Sequence, residues 1–295
     1  MKVFVTGATG FVGSAVVAEL IRAGHEVTGL ARSEAAVELL TAAGAKAHRG
    51  DLEDLESLSS GAAASDGVIH LGFVHDFARF QEVCAIDERA IKTLGTALVG
   101  SGRPLIVTSG TALLTPGRLA TEEDVRDPGS HFPRVSEEAA AAFSNQGVRV
   151  STVRLSPSVH GDGDHGFVPI LINTAREKGV SAYVGQGLNR WTAVHRLDAA
   201  VLYRLVLEDK TAGARYHGVA EEGIEFRDIA EAIGKGLNLP AVSLSPEKAA
   251  DHFGWFAHFA SIDCPASSNL TQECLGWTPV QPTLLADLEH GTYFK

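Results

Sequence analysis

Short runs of apolar residues alternate with longer segments of helical spacing through the first half of the chain. Residues 2–6 (KVFVT) read as a buried strand. In the next segment Val12, Val16, Leu20 and Ala23 share one face, which predicts a helix over 12–23 that Gly24 ends. The same alternation predicts strands over 26–30, 45–49, 67–71, 104–108 and 149–155. It predicts helices from Ser33, a capping residue, through Leu40, and over 54–64, 80–99 and 136–144. Near-continuous apolar strands separated by helices mean a parallel sheet covered on both faces. After Leu155 the rhythm loosens. Pro157, Gly161, Gly163 and Gly166 mark a loop, a helix is expected over 167–178, and residues 182–184 look strand-like. Helical spacing returns over 197–207, 226–237, 246–252 and 284–290. The expected architecture is α/β: a doubly wound parallel sheet over 1–160, rejoined by about 191–220. A smaller substrate lobe would be built from about 161–190 and 221–295.

Composition narrows the class by exclusion. No apolar run in the 295 residues approaches the roughly 20 needed to span a bilayer, and the N-terminus lacks the pattern of a signal peptide. A cytoplasmic protein without a membrane partner is expected. A net charge of −11 repels a phosphate backbone, so no nucleic-acid partner is expected. Cys84, Cys264 and Cys274 are too few and too scattered for a disulfide framework, and no Cys/His spacing suggests a metal site.

The strongest chemical signal is Thr6-Gly7-Ala8-Thr9-Gly10-Phe11-Val12-Gly13, which follows the first strand and opens the first helix. A tight turn needs Gly7, close approach of backbone amides to a pyrophosphate needs Gly10, and close packing of helix on strand needs Gly13. The helix N-terminus then presents partial positive charge to the phosphates. Thr6, Thr9, Phe11 and Val12 complete the expected dinucleotide contact. At the end of the second strand an NAD enzyme carries an acid for the ribose hydroxyls. Here the residues are Leu30-Ala31-Arg32-Ser33. The acid is missing and Arg32 can pair with a 2′-phosphate, which points to NADP(H), with NAD(H) the alternative.

With these motifs the chain resembles the extended short-chain dehydrogenases/reductases of the NAD-dependent epimerase/dehydratase type. TGATGFVG matches the family's TGxxGxxG, and Gly50-Asp51-Leu52 resembles its adenine-contacting segment. Ile69-His70-Leu71-Gly72 resembles its fourth strand beside the cofactor ribose. Val107-Thr108-Ser109 resembles its fifth strand, which carries a catalytic hydroxyl. Arg154-Leu155-Ser156-Pro157-Ser158-Val159-His160-Gly161 resembles LRPxxVYG, which passes the nicotinamide amide, and residues 191–199 resemble the later VHVxD segment. The resemblance therefore implies cofactor contacts from Asp51, Leu52, Leu71, Gly72, Pro157, Ser158 and Val159, and often a homodimer. One feature departs. The family's YxxxK pair should fall where this chain reads His131-Phe132-Pro133-Arg134-Val135-Ser136-Glu137-Glu138, with neither Tyr nor Lys.

Other polar groups fall where strands end, the ligand edge of an open α/β sheet. His75 and Asp76 follow the fourth strand, and Ser109 and Thr111 flank Gly110 after the fifth. An imidazole can deliver a proton near neutral pH, so His75, Ser109 and Thr111 are the candidate catalytic residues. His160, Asp162, Asp164, His165, Arg190 and His195 lie near the same expected edge, with a structural hydrogen bond expected for His160. Arg134 and Glu138 are read as an i,i+4 ion pair on one helix face, or as substitutes for the missing pair at the cofactor ribose. The aromatic stretch 253–259 is read as lobe core. The expected activity is NADPH-dependent reduction of a small or medium carbonyl, enone or imine compound. The alternatives are a silent NADP(H)-binding sensor and a nucleotide-sugar epimerase or dehydratase.

Overall fold

A computed structural model describes residues 1–114, 116–127 and 132–295. Along the chain run β1 (Lys2–Thr6), α1 (Phe11–Arg22), β2 (Glu26–Ala31), α2 (Glu34–Ala42), β3 (Lys46–Arg49), α3 (Leu55–Ala63), β4 (Gly67–His70), α4 (Phe80–Leu98) and β5 (Pro104–Gly110). Next come α5 (Ser136–Ala141), β6 (Arg149–Leu155), β7 (Ser158–His160), α6 (Phe167–Lys178), β8 (Ser181–Val184), β9 (Arg190–His195), α7 (Arg196–Glu208), β10 (Ala214–Gly218) and β11 (Glu221–Glu225). The chain ends with α8 (Phe226–Leu237), β12 (Ala241–Leu244), α9 (Pro246–Phe253), α10 (Ala257–Ser261), α11 (Asn269–Leu275) and α12 (Leu284–His290). Among the described residues no helix is long and apolar enough to cross a membrane.

The chain divides into two compact units. The first comprises Met1–Ser109, Pro128–Arg154 and Ala199–Tyr216, and the second Gly110–Asp127, Leu155–Asp198 and His217–Lys295. The first is built on a seven-stranded parallel sheet of order β10-β6-β5-β4-β1-β2-β3, a Rossmann arrangement whose order reverses between β1 and β4. Register pairs Val5 with Gly29, Thr6 with His70, and His70 with Val107. Phe4, Val68, Leu105 and Val107 of the strands pack with Leu58, Ile91 and Leu94 of the helices and with Phe143 after α5, all buried. These strands are buried on both faces, which is why they are apolar throughout rather than alternating.

The second unit carries a three-stranded sheet, β11-β9-β7, and a parallel pair, β12-β8. Its core gathers Trp191, Phe226, Ile229, Phe253, Phe256 and Leu284. Phe253 and Phe256 thus belong to the core, while Trp255 stays 53% exposed. The short strands β7 and β9–β12 escaped the sequence pattern. Runs of three to six residues without clear alternation carry little periodic signal.

One sequence expectation fails here. Arg134 lies two residues before α5, so Arg134 and Glu138 do not share a helical face, and α5 stops at Ala141 instead of continuing to 144. His131, at the head of that window, lies outside the described residues.

Candidate active site

The glycine turn of the first unit fits a pyrophosphate on steric grounds. Gly7 adopts φ +66°, and a Cβ there would meet the backbone N of Gly72 at 2.8 Å. A Cβ on Gly13 would lie 1.9 Å from the Gly7 carbonyl oxygen. These two glycines let the turn close against β4 and let α1 close against the turn. Gly10 differs: its Cβ would meet only the Gly7 carbonyl, at 3.2 Å, and it is exposed along with Thr9. Its bare face is space a phosphate can occupy.

The helix start is open too. Gly10 is the N-cap of α1 and gives no side-chain cap, and no acid sits in that turn. The neighbouring helices are closed by their own residues. Ser33 Oγ accepts from Ala36 N on α2, and Asp54 accepts from Ser57 N on α3. The start of α1 thus differs from its neighbours in lacking both a side-chain cap and a first-turn acid, and the 12-residue helix sets the positive end of its dipole there.

At the end of β2, Arg32 is exposed and makes no hydrogen bond or ion pair among the described residues, whereas Arg49 is bound bidentately by Glu34. Asp51 Oδ1 accepts from the backbone N–H of Glu53 and Asp54, so it also fixes the local turn. Leu52 approaches Gly72 closely, since a Cβ on Gly72 would lie 2.9 Å from Leu52 Cδ2. The structure therefore gathers Thr6, Gly7, Gly10, Leu52, Leu71 and Gly72 at one sheet edge.

Behind that edge lies a buried polar chain that sequence reasoning did not single out. Gly72 N–H donates to Thr6 Oγ1 (3.1 Å), which is 2.8 Å from His70 Nδ1. His70 Nε2 is 3.1 Å from Asp87 Oδ1, Ser136 Oγ donates to Asp87 Oδ2 (2.5 Å), and Arg134 Nε donates to Ser136 (3.2 Å). Burial pushes the Asp87 carboxyl up, but the His70 hydrogen bond and charge, the Arg134 charge and the Ser136 hydroxyl together hold it below its ordinary value. One signal was available: Asp87 falls on the apolar stripe of α4 between Cys84, Ala90 and Ile91.

The three candidate catalytic residues are placed differently. His75 is exposed, with its ring edge-on to Phe73 at 5.4 Å. Asp76 beside it accepts from Ala78 N and Arg79, and the Arg79 hydrogen bond holds its carboxyl below the ordinary range. Ser109 is buried, and Glu137 binds Arg154 bidentately. In the second unit, buried Thr111 shares its hydroxyl with Thr192 (3.1 Å). Tyr203 is no substitute for the missing Tyr: it is fully buried, bonded to Thr108 Oγ1 at 2.7 Å, and burial raises its phenol.

Within the second unit, Ser158 is buried and its hydroxyl has no partner among the described residues, as a position awaiting a ligand would be; Pro157 and Val159 beside it are half-buried. His160 Nδ1 is 2.6 Å from Asp287, and burial lowers its pKa. His195 stands 5.3 Å away, ring edge to ring. Asp164 accepts from Tyr293 (2.7 Å), burial raising its carboxyl, while His165 is exposed. Asp162 accepts from Thr292, Asp263 binds Arg190 bidentately, and the Asp198 carboxylate accepts from Val280 N and Gln281 N. Among the described residues no group of His, Cys, Asp or Glu could hold a metal ion.

Comparison with known proteins agrees with this geometry. The chain is 53% identical to an uncharacterized protein of Schizosaccharomyces pombe, over all of both chains. It is 26% identical to a 4-hydroxy-2-methyl-3-oxo-4-farnesyl-3,4-dihydroquinoline-1-oxide ketoreductase of Stigmatella aurantiaca, over 90% of this chain and 84% of the relative. Its fold matches the crystal structure of a dTDP-glucose 4,6-dehydratase of Streptomyces venezuelae with NAD bound (TM-score 0.79, 19% identity, 100% and 97% covered). Residues 3–219 match the NAD dependent epimerase/dehydratase family. The chain belongs to that family.

Proposed function

We propose that this protein is an NADPH-dependent reductase of a small or medium carbonyl, enone or imine compound. The observation that carries the reading is the contrast at the sheet edge. The N-terminus of α1 is left uncapped above a bare Gly10, and Arg32 stands exposed where an NAD enzyme has its acid. Gly7, Gly10 and Gly13 would hold the pyrophosphate, Arg32 the 2′-phosphate, and Leu52, Leu71 and Gly72 the adenosine side. When bound, the reduced nicotinamide supplies hydride. The chain's part is to position the substrate and see to its proton. His75, in the segment after β4, is the most accessible of the candidate donors, ahead of buried Ser109 and Thr111. A relative that is a ketoreductase by name supports the reaction class.

Reduction survives the missing Tyr because water can deliver the proton, at a cost of about 10² to 10⁴ in rate. The test is NADPH oxidation over a panel of ketones, enones and imines, followed by His75→Ala, Ser109→Ala and Thr111→Ala on any hit. Turnover that falls with His75→Ala is expected. Tight NADPH binding without turnover across the panel overturns the reductase and leaves a cofactor sensor.

A further inference from the structure

We infer that His70 and Asp87 are positioning residues for the dinucleotide: through the Thr6 hydroxyl they set the gap between the glycine turn and the Leu71–Gly72 segment, without touching the ligand themselves. This rests on the cofactor reading above and adds to it the residues that hold the two walls of its crevice in place. Thr6 is the last residue of β1 and His70 the last of β4, and the parallel register sets them side by side. Between these two strands the sheet order reverses, the point where an open α/β sheet receives its ligand. The chain leaves β1 into the turn and leaves β4 into Leu71–Gly72. Whatever joins Thr6 to His70 therefore governs how far apart those walls stand.

The approach of the two walls is close. Leu71 N–H donates to the Thr6 carbonyl (3.3 Å), and Gly72 N–H donates to Thr6 Oγ1 (3.1 Å). A Cβ on Gly7 would meet Gly72 N at 2.8 Å, so Gly72 has no room to move towards the turn, and the Thr6 hydroxyl keeps it from moving away. A hydroxyl rotates unless its own proton has a fixed acceptor. His70 Nδ1 stands 2.8 Å from Thr6 Oγ1, while Nε2 lies 3.1 Å from Asp87 Oδ1. A carboxylate only accepts, so the ring carries its proton on Nε2, and Nδ1 is left to accept from Thr6. Ser136 Oγ donates to the other oxygen of Asp87, and Thr108 Oγ1 donates to the His70 carbonyl (2.8 Å). Ring and backbone of His70 are both held.

The fold itself does not call for this arrangement. Thr6, His70 and Asp87 are 0%, 1% and 3% exposed, beside a core of Phe4, Val68, Ala90, Ile91 and Val107. Replacing a buried polar group of this kind by apolar residues of similar volume is often neutral for stability. What a fully paired chain adds is a single set of directions, here at the base of the ligand edge.

The test is fluorescence titration of the full chain with NADPH and with NADH, beside a melting temperature for each variant. The amide of Gln reaches where imidazole Nε2 stands, and that of Asn where Nδ1 stands. His70→Gln therefore keeps a donor for Asp87 and removes the partner of Thr6. It should weaken both dinucleotides about three- to tenfold, with the melting temperature near its starting value. His70→Asn keeps the partner of Thr6 and removes that of Asp87, so it should lower the melting temperature more than the affinity. Thr6→Val should match the affinity loss of His70→Gln, and Thr6→Ser should hold the original affinity. Thr6→Val combined with His70→Gln should lose no more than either alone, because both break one link. Asp87→Asn keeps an acceptor for Nε2 and should cost less affinity than Asp87→Leu, which has none; the reverse order removes Asp87 from the chain. Unchanged affinity in His70→Gln, or losses that multiply in the double variant, overturns the positioning role while the cofactor reading stands, and these two variants carry the test should His70→Asn not fold. Binding of neither dinucleotide by the unmutated chain overturns both.

Discussion

Helices α1 and α2 each start just past the end of a parallel strand, and they are finished in opposite ways. Ser33 caps α2 with its own hydroxyl, and Glu34 adds an acid to the first turn. α1 begins on Gly10, with no side-chain cap and no acid. A helix N-terminus left bare forgoes the roughly 1 kcal/mol that a capping residue supplies. The same contrast recurs in two nearby arginines. Arg49 is closed by Glu34, while Arg32 has no protein partner among the described residues. α1 thus differs from its neighbours α2 and α3 in having neither a side-chain cap nor a first-turn acid, and on the proposed reading a dinucleotide phosphate would take that place.

The largest effect should come from filling the open space. Gly10→Val puts a branched side chain on the bare face of the turn, where only the Gly7 carbonyl stands near the Cβ. The protein should fold, and NADPH affinity by fluorescence titration should fall at least a hundredfold, or about 3 kcal/mol. Normal binding in this variant would mean that the open N-terminus is not the site. Next comes Arg32→Ala, which should cost NADPH about 1.5 to 3 kcal/mol and leave NADH nearly unchanged, so that the two cofactors bind alike. Equal affinities before mutation would erase the contrast between Arg32 and Arg49.

On the capped side, Ser33→Ala should lower stability to urea by about 1 kcal/mol, because Ala36 N loses its acceptor. Any change in NADPH binding should be small. The smallest effect belongs to the second unit. Burial depresses the pKa of His160 and of His195, so both stay neutral in the folded chain while their unfolded counterparts take up protons below about pH 6.5. Stability from this source is complete above that pH and is lost as pH falls towards the depressed folded values. The melting temperature should therefore drop between pH 7.5 and 6, and His160→Gln should flatten the slope. An equal slope in that variant would remove His160 from the account.

Much of this was legible in the residues. The central strands β1, β4 and β5 of the first unit are largely apolar on both faces and its helices keep a 3.6 period, so both periodicities stand out. The glycine turn reads from spacing because each glycine answers a separate steric demand: Gly7 lets the turn close against Gly72, while Gly13 closes α1 on the turn itself rather than on the strand. Arg32 was found from a missing acid. The window 131–138 misled, because residues four apart suggest a shared face only inside a helix, and Arg134 precedes one. In the second unit β8 was legible, but β7, β9, β11 and β12 were too brief for any period to show.

The sequence by itself determined the parallel α/β class, the phosphate turn and the absence of the usual Tyr and Lys, because these depend on local backbone geometry and on neighbours a few residues apart. Only the tertiary structure decided that Asp87 sits in a buried polar chain, since its partners His70 and Ser136 come from positions 17 and 49 residues away. Only the fold could bring Phe73 of the β4 segment, Thr108 of β5 and Arg134 together, because parallel strands with crossover helices place distant segments side by side. A charge on an apolar helix stripe hints that a partner exists. Which partner it is depends on strand order and register.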